Sequence, residues 1–276
     1  MPISITIEKT ASTVALSIIA LLCLSQSAFA HEFWVHPAKM VVQQGTLLSV
    51  QLMHGERFDG TPVPRDEPQI RQFEFIESDG SSQSLRGIHH STTSYLKPNS
   101  SGIVVYQSNQ YQNNLDAQHF EDYLREERLE HIIEERSKQG QSDDIGREVY
   151  SRNSKSIIRI ESDNQNIDQI DTEIGLPLEI VVQRIEHQSD NILLSAQVIF
   201  NGNPIEALRV VATNEQNHDQ LIELTTDSNG IVQFDANEPG LWMISTLHME
   251  QETKTDDADW ESFWSSTTFE IMSKHD

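Results

Sequence analysis

The chain has 276 residues, a formal net charge of −24 and a single cysteine, Cys23. Such a surface repels nucleic acid and anionic lipid headgroups and draws in cations, so nucleic-acid binding is excluded as a function. With Cys23 inside the leading apolar run, the rest of the chain has no disulfide and no thiolate ligand; any metal must be held by nitrogen and oxygen.

The first thirty residues comprise a short polar start with Lys9, an apolar run from Ala11 to Leu24, and Ser-Gln-Ser-Ala-Phe-Ala ending at Ala30. This is the pattern of a secretory signal peptide, with cleavage expected after Ala30. Lipidation at Cys23 is disfavoured because Leu22 stands where a small residue is needed. The mature chain is therefore expected to start at His31 in the periplasm. No second long apolar run follows, so no membrane insertion after processing is expected.

From His31 onward the chain reads as short strands and turns. Leu47 to Met53, Arg71 to Glu77 and Gly102 to Gln107 carry β patterns, separated by turn chemistry at Pro62-Val63-Pro64 and Asp79-Gly80. Gln118 to Gln139 differs, with Phe120, Tyr123, Leu124, Ile132 and Ile133 at helical spacing among charged residues and Gly140 as a stop. Strand character returns over Gly146 to Ile160, followed by a polar, acidic stretch from Glu161 to Asp171. Further strands follow at Leu178 to Arg184, Ile192 to Phe200, Leu208 to Thr213, Leu221 to Thr226, Ile231 to Phe234 and Trp242 to His248. Asn201-Gly202 and Asp227-Ser228-Asn229-Gly230 supply the hairpin turns. Gln251 to Trp260 reads as an acidic loop and Ser266 to Met272 as a last strand. The expectation is an all-β fold of two immunoglobulin-like sandwiches with one inserted amphipathic helix. The first sandwich is expected over 31–160 with its helix near 118–139, a linker over 161–174, and the second sandwich over 175–276.

The expected mature start, HEFWVHP, gives His31 both a free α-amine and an imidazole. Two nitrogens on one residue can chelate copper, nickel or zinc, because a terminal amine loses its proton far more readily than lysine does. A histidine exposed by cleavage without a role is the plain alternative. His36 and His54 are the nearest further donors, and His248, ahead of Met249-Glu250, is a candidate from the second half. His89 and His90 are adjacent in an expected loop and would point to opposite sides of any strand, making a poor chelate. His131, His187, His218 and His275 read as surface residues. Enzyme signatures are missing: no GxSxG elbow, no HExxH helix, no glycine-rich phosphate loop. Glu148, Tyr150, Arg152 and Lys155 share one strand and read as an ion-pair ladder, with anion binding as the alternative. Trp242, Trp260 and Trp264 read as core or loop anchors.

The segments HEFW, PVPRD (Pro62 to Asp66), FEDYLREERL, GREVYSRNSK, Gly175-Leu176-Pro177-Leu178-Glu179, TTDSNG, PGLW, LHME and DADWESFW carry a resemblance. Together they resemble a bacterial periplasmic family of unknown function with two immunoglobulin-like domains. Its members are often labelled nickel-uptake substrate-specific or cobalt/nickel transport-associated proteins. The resemblance implies a secreted protein that binds a transition-metal ion and hands it to an inner- or outer-membrane transporter, with His31 and His248 matching the family's histidines. The second domain also looks like transthyretin-like or carboxypeptidase-regulatory-like sandwiches.

The leading expectation is a non-enzymatic periplasmic accessory protein for nickel or cobalt uptake. Its metal would be held by His31 with His248, His54 or His36, copper and zinc being rival ions. A copper-binding histidine-brace protein or oxidoreductase is one alternative, and a metal-free envelope scaffold is another.

Overall fold

In the first half, the computed structural model has β1 (Glu32–Pro37), β2 (Val41–Val42), β3 (Leu48–Glu56), β4 (Asp59–Pro62), β5 (Ile70–Glu77), β6 (Ser82–Ser84), β7 (Thr93–Leu96), β8 (Gly102–Ser108) and β9 (Tyr111–Leu115). Two helices follow, α1 (Ala117–Glu126) and α2 (Glu130–Lys138), and then the long strand β10 (Gly146–Ile160). The second half supplies β11 (Leu178–His187), β12 (Ile192–Phe200), β13 (Asn203–Pro204), β14 (Arg209–Asn214), β15 (Ile222–Thr225), β16 (Ile231–Asp235), β17 (Gly240–Gln251) and β18 (Trp260–Ile271). The structure describes residues 32–163, 170–188, 191–217, 221–236 and 238–273. The expected signal peptide, His31, His218, His275 and the middle of the expected linker lie outside the described residues.

The fold is all-β, as the strand patterns predict. A ten-stranded central sheet runs in the order β15-β14-β17-β18-β10-β8-β5-β6, with β2 and β9 also paired to β10. A four-stranded sheet of β1, β3, β4 and β7 and another of β11, β12, β13 and β16 complete the architecture. The strand β8 explains how they stack. All seven of its residues are buried, because its two faces meet two different cores. Val104 and Tyr106 join Phe33, Val35, Leu48 and Val50 of the β1–β3 sheet. Ile103 and Val105 join Leu178, Ile180, Leu194 and Ala196 of the β11–β12 sheet. Strands covered on both faces lose the apolar–polar alternation of a half-exposed strand.

The halves of the chain meet in that central sheet. β10 pairs in parallel with β18 from Glu148↔Trp260 to Ser156↔Thr268, and β18 pairs antiparallel with β17 along its whole length. β18 thus begins earlier than the expected start at Ser266, and Trp260, expected in the loop, is its first residue. In its Ser-Ser-Thr-Thr run, the hydroxyls of Ser266, Thr267 and Thr268 are each spent on a backbone carbonyl. Ser266 Oγ donates to the Phe33 carbonyl at 2.7 Å, Thr268 Oγ1 to the Val35 carbonyl at 2.9 Å, and Thr267 Oγ1 to the Ile180 carbonyl at 2.9 Å. Alternate side chains therefore fasten β1 to one face of the sheet and β11 to the other, satisfying buried carbonyls that would otherwise be orphaned.

The helical insertion is two helices where one was expected. Arg128 adopts φ of 59°, and the Leu129 N–H donates to the Leu124 carbonyl at 2.8 Å, which closes α1 in the manner of a left-handed cap. Both helices lie on the β1 side of the central sheet, where Phe120, Tyr123, Leu124, Leu129 and Ile132 pack on Leu247, Met249 and Trp260.

Candidate functional site

A cavity of about 270 Å³ opens where β1, the end of α1 and the strands β14, β17 and β18 meet. Its wall includes Glu32, Arg57, Glu127, Arg209, Ser245 and Trp264. Glu32 spans two sheets: one carboxylate oxygen accepts from Ser245 Oγ at 2.9 Å and the other from the Arg57 backbone N–H at 2.7 Å. That N–H is available because the β3–β4 turn places both Arg57 (φ 51°) and Phe58 (φ 68°) in the left-handed region. Such turns ordinarily use Asn-Gly, and a non-glycine residue there costs about 1–3 kcal/mol. The hydrogen bond to Glu32 and the edge-on contact of Phe58 with Trp34, 5.9 Å between ring centres, hold the turn in place.

Glu127 reaches the cavity because α1 stops one residue earlier. Asp116 caps the helix start by accepting from the His119 N–H at 3.1 Å, and the apolar stripe of α1 fixes its direction. The carboxyl of Glu127 thus stands at the negative pole of the helix, an unfavourable place for a second negative charge. Arg209 at the start of β14 lies 3.5 Å from Glu127 and 3.1 Å from Glu223, dividing its charge between them.

Burial dominates the electrostatics. It pushes Glu127 up to about 7, with the nearby charges of Glu32, Glu126 and Glu223 adding to the rise and Arg209 opposing it. Glu32 is also raised, first by burial and then by Glu56, against its hydrogen bonds to Arg57 and Ser245. The cavity therefore holds two carboxyl groups whose burial disfavours the charged form, with Arg209 as the cation beside Glu127.

Of the histidines singled out in sequence, the three that are described, His36, His54 and His248, are not brought together. His248 projects from β17 toward the β11–β12 sheet, with its ring edge-on to Phe200 at 4.4 Å. Its neighbours Leu247 and Met249 face the helices on the opposite side, so His248 points away from the cavity. Burial, with His131 adding to it, lowers its pKa to about 4, and Nε2 is 3.8 Å from Glu250. His54 is half-buried on β3 opposite Phe33, in the four-stranded sheet of β1, on the other side of the central sheet from His248. His36 lies at the far end of β1 with Nδ1 buried and without a partner among the described residues; burial lowers its pKa, against the pull of Glu215. Among the described residues, no group of three or more His, Cys, Asp or Glu side chains is disposed to hold a metal ion.

Two smaller expectations are corrected. His89 and His90 lie in a turn, as expected of a loop, and there they do not diverge as they would on a strand: His90 takes φ of 65° and the two rings lie 3.7 Å apart. Lys155 leaves the ladder, since its odd position turns it to the face opposite Glu148, Tyr150 and Arg152. Nor do those three pair as ions. Glu148 is buried and bonded to Tyr123, Asn113 and Ser262, while Arg152 lies over the rings of Phe33, Tyr111 and Tyr150 at 4.9, 5.7 and 5.5 Å. Trp242 and Trp260 are core residues, whereas Trp264 is a cavity wall stacked on Tyr123 at 6.5 Å.

Fold and site together define an all-β protein of stacked sandwiches with an acidic cavity beside the first strand. The chain belongs to the family described as Domain of unknown function (DUF4198), which it matches over residues 28–250. No curated protein matches it. Among solved structures it is similar to the D0-D1 domain of Intimin at 12% identity, with 86% of this chain and 97% of that one covered and a TM-score of 0.21. It is similar to the D00-D0 domain of Intimin at 10% identity, covering 87% of this chain and 100% of that one, TM-score 0.21. A tetra-tandem repeat from the extending region of a large adhesion protein is similar at 8% identity, covering 87% of this chain and 49% of that one, TM-score 0.21.

Proposed function

We propose that the processed protein is a periplasmic carrier that binds a divalent transition-metal ion, nickel or cobalt, as cargo and presents it to an uptake transporter of the envelope. The observation that carries this reading is the pair of desolvated carboxyls, Glu32 and Glu127, in a cavity that begins one peptide bond from the expected mature terminus. Cleavage after Ala30 would supply an amine and an imidazole at His31, and the carboxyls would supply the oxygen donors a thiol-free chain needs. The overall charge of −24 favours cation capture at long range. His248 has no part in this reading, because it packs on the opposite face of the central sheet. Copper and zinc compete for the same donors, since the affinity of nitrogen and oxygen sites for divalent ions generally rises to a peak at copper.

The test is a titration with nickel, cobalt, copper and zinc of three proteins: one starting at His31, one with an extra alanine ahead of His31, and the Glu127→Gln variant of the first. The extended protein and the Glu127→Gln variant are each expected to bind about tenfold or more weakly, the usual effect of losing a ligand or its support. Equal binding by all three, or none by any, overturns the reading.

A further inference from the structure

On the face of β10 turned away from the cavity lies the most completely buried ionic cluster among the described residues. Lys155 is 1% exposed, and Asp171 and Glu179 are 0% exposed. Lys155 Nζ stands 2.6 Å from Asp171 Oδ1 and 3.0 Å from Glu179 Oε1. The carboxylates are held rigidly. Asp171 Oδ2 accepts from the Val182 N–H at 2.7 Å, and Glu179 accepts from the backbone of Ile174, Gly175 and Leu176 at 2.9, 2.9 and 3.1 Å. Around them stand Ile157, Ile170, Leu178 and Ile180 of the large apolar core.

Two carboxylates facing one ammonium in an apolar core leave an excess negative charge that no solvent compensates, the arrangement that makes buried ions costly. A surface lysine could swing away; this one cannot. Its nitrogen is held against one oxygen of Asp171, which brings Nζ into the range of about 3–3.5 Å from Cγ that reacting atoms require. We propose that Lys155 and Asp171 are joined by an intramolecular isopeptide bond, formed by the protein itself with Glu179 as the proton acceptor. Glu179 takes one proton from the Lys155 ammonium, and the free amine attacks Cγ of the protonated Asp171 carboxyl. The Nζ–Cγ bond forms and a Cγ–O bond breaks. The departing hydroxyl leaves as water with a second proton from the nitrogen. The reactants are an ammonium, a carboxylate and a carboxylic acid; the products are an amide, a protonated Glu179 and water, so charge is zero on both sides and no oxidant is needed. Burial pushes the Asp171 carboxyl up, toward the protonated form the step requires. The bond would tie the segment ahead of β11 to the middle of β10, cross-linking the two halves of the chain.

Tryptic mapping of the folded, then denatured, full-length protein tests this without any substitution. The expected product is a branched peptide joining residues 153–159 to 160–184, lighter than the sum of the two by one water and uncut after Lys155. Separate peptides of unmodified mass overturn the proposal and leave the triad an ion pair. The Lys155→Arg variant controls for the linkage, and the Glu179→Gln variant is expected to fold with the same circular dichroism while carrying no bond. A branched peptide from Glu179→Gln at the native yield overturns the part given to Glu179.

Discussion

Glu127 and His248 both hold their unusual protonation through burial, but they load stability in opposite directions along the pH scale. For Glu127, the folded chain keeps its proton up to about 7 whereas the unfolded chain releases it near 4.5. The folded state therefore binds the proton more tightly between those values, and stability falls as pH rises through that window. A shift of this size is worth on the order of 3 kcal/mol. Urea unfolding at pH 5 and pH 8 is expected to show the wild type losing stability at the higher pH and Glu127→Gln losing distinctly less. An unchanged pH dependence in the variant would show that the cavity does not desolvate this carboxyl. His248 has the reverse sign: its folded pKa of about 4 lies below the unfolded 6.5, so its contribution is complete above 6.5 and drains away as pH falls toward 4. At pH 5 the ring's refusal to protonate is expected to cost the wild type about 2 kcal/mol relative to pH 7. His248→Leu keeps the apolar contact with Phe200 and removes the titration, so its melting temperature should drop less between pH 7 and pH 5. The same variant should bind metal as the wild type does, since its ring faces away from the cavity.

At the scale of elements, the site depends on how α1 is seated. Gly146, the first residue of β10, lies directly under Phe120: a Cβ added there would stand 2.1 Å from the ring. Gly146→Ala is expected to destabilise the protein by about 1–3 kcal/mol, the usual penalty of overpacking. Because α1 delivers Glu127, the substitution should also weaken metal binding, a coupling that paired unfolding and titration experiments would detect. The helix stripe of Phe120, Tyr123 and Leu124 was plain in the sequence, since apolar spacing is a local signal. The break after Glu126 was not, because the left-handed residue there is Arg128 rather than glycine. β10 and β12 have the bounds their patterns suggest, Gly146–Ile160 and Ile192–Phe200. The start of β18, Trp260 to Ser265, was hidden because it follows an acidic run directly and is paired by β10, more than a hundred residues earlier in the chain. The cavity was less legible still. Glu32, Glu127 and Arg209 come from β1, the end of α1 and β14, and no periodicity or motif links residues that only tertiary packing brings together.

Across the whole molecule, the two halves of the chain complete one another's cores. The face of β8 and β10 that carries Ile103, Val105 and Ile157 is covered by the β11–β12 sheet, and β18 occupies the edge of β10 in parallel register. A fragment ending at Ile160 would keep the core under β1 and β3 but bare the opposite face. It would also expose the polar edge of β10 and leave the hydroxyls of Ser154 and Ser156 without the partners β18 provides. Each uncovered valine or isoleucine forfeits about 1.5–3 kcal/mol, and a handful of them is comparable with the whole stability of an ordinary domain. The fragment 31–160 is therefore expected to be unfolded or aggregated when expressed alone, and the full chain from His31 to unfold in a single transition seen identically by tryptophan fluorescence and circular dichroism. Two separated transitions would mean that the β10–β18 pairing contributes little. In that case Lys155→Arg should lower only the midpoint of the body that holds the buried cluster. If the halves unfold as one body, losing the buried Lys155 cluster should lower the one midpoint they share, since its residues sit within the core to which both halves contribute.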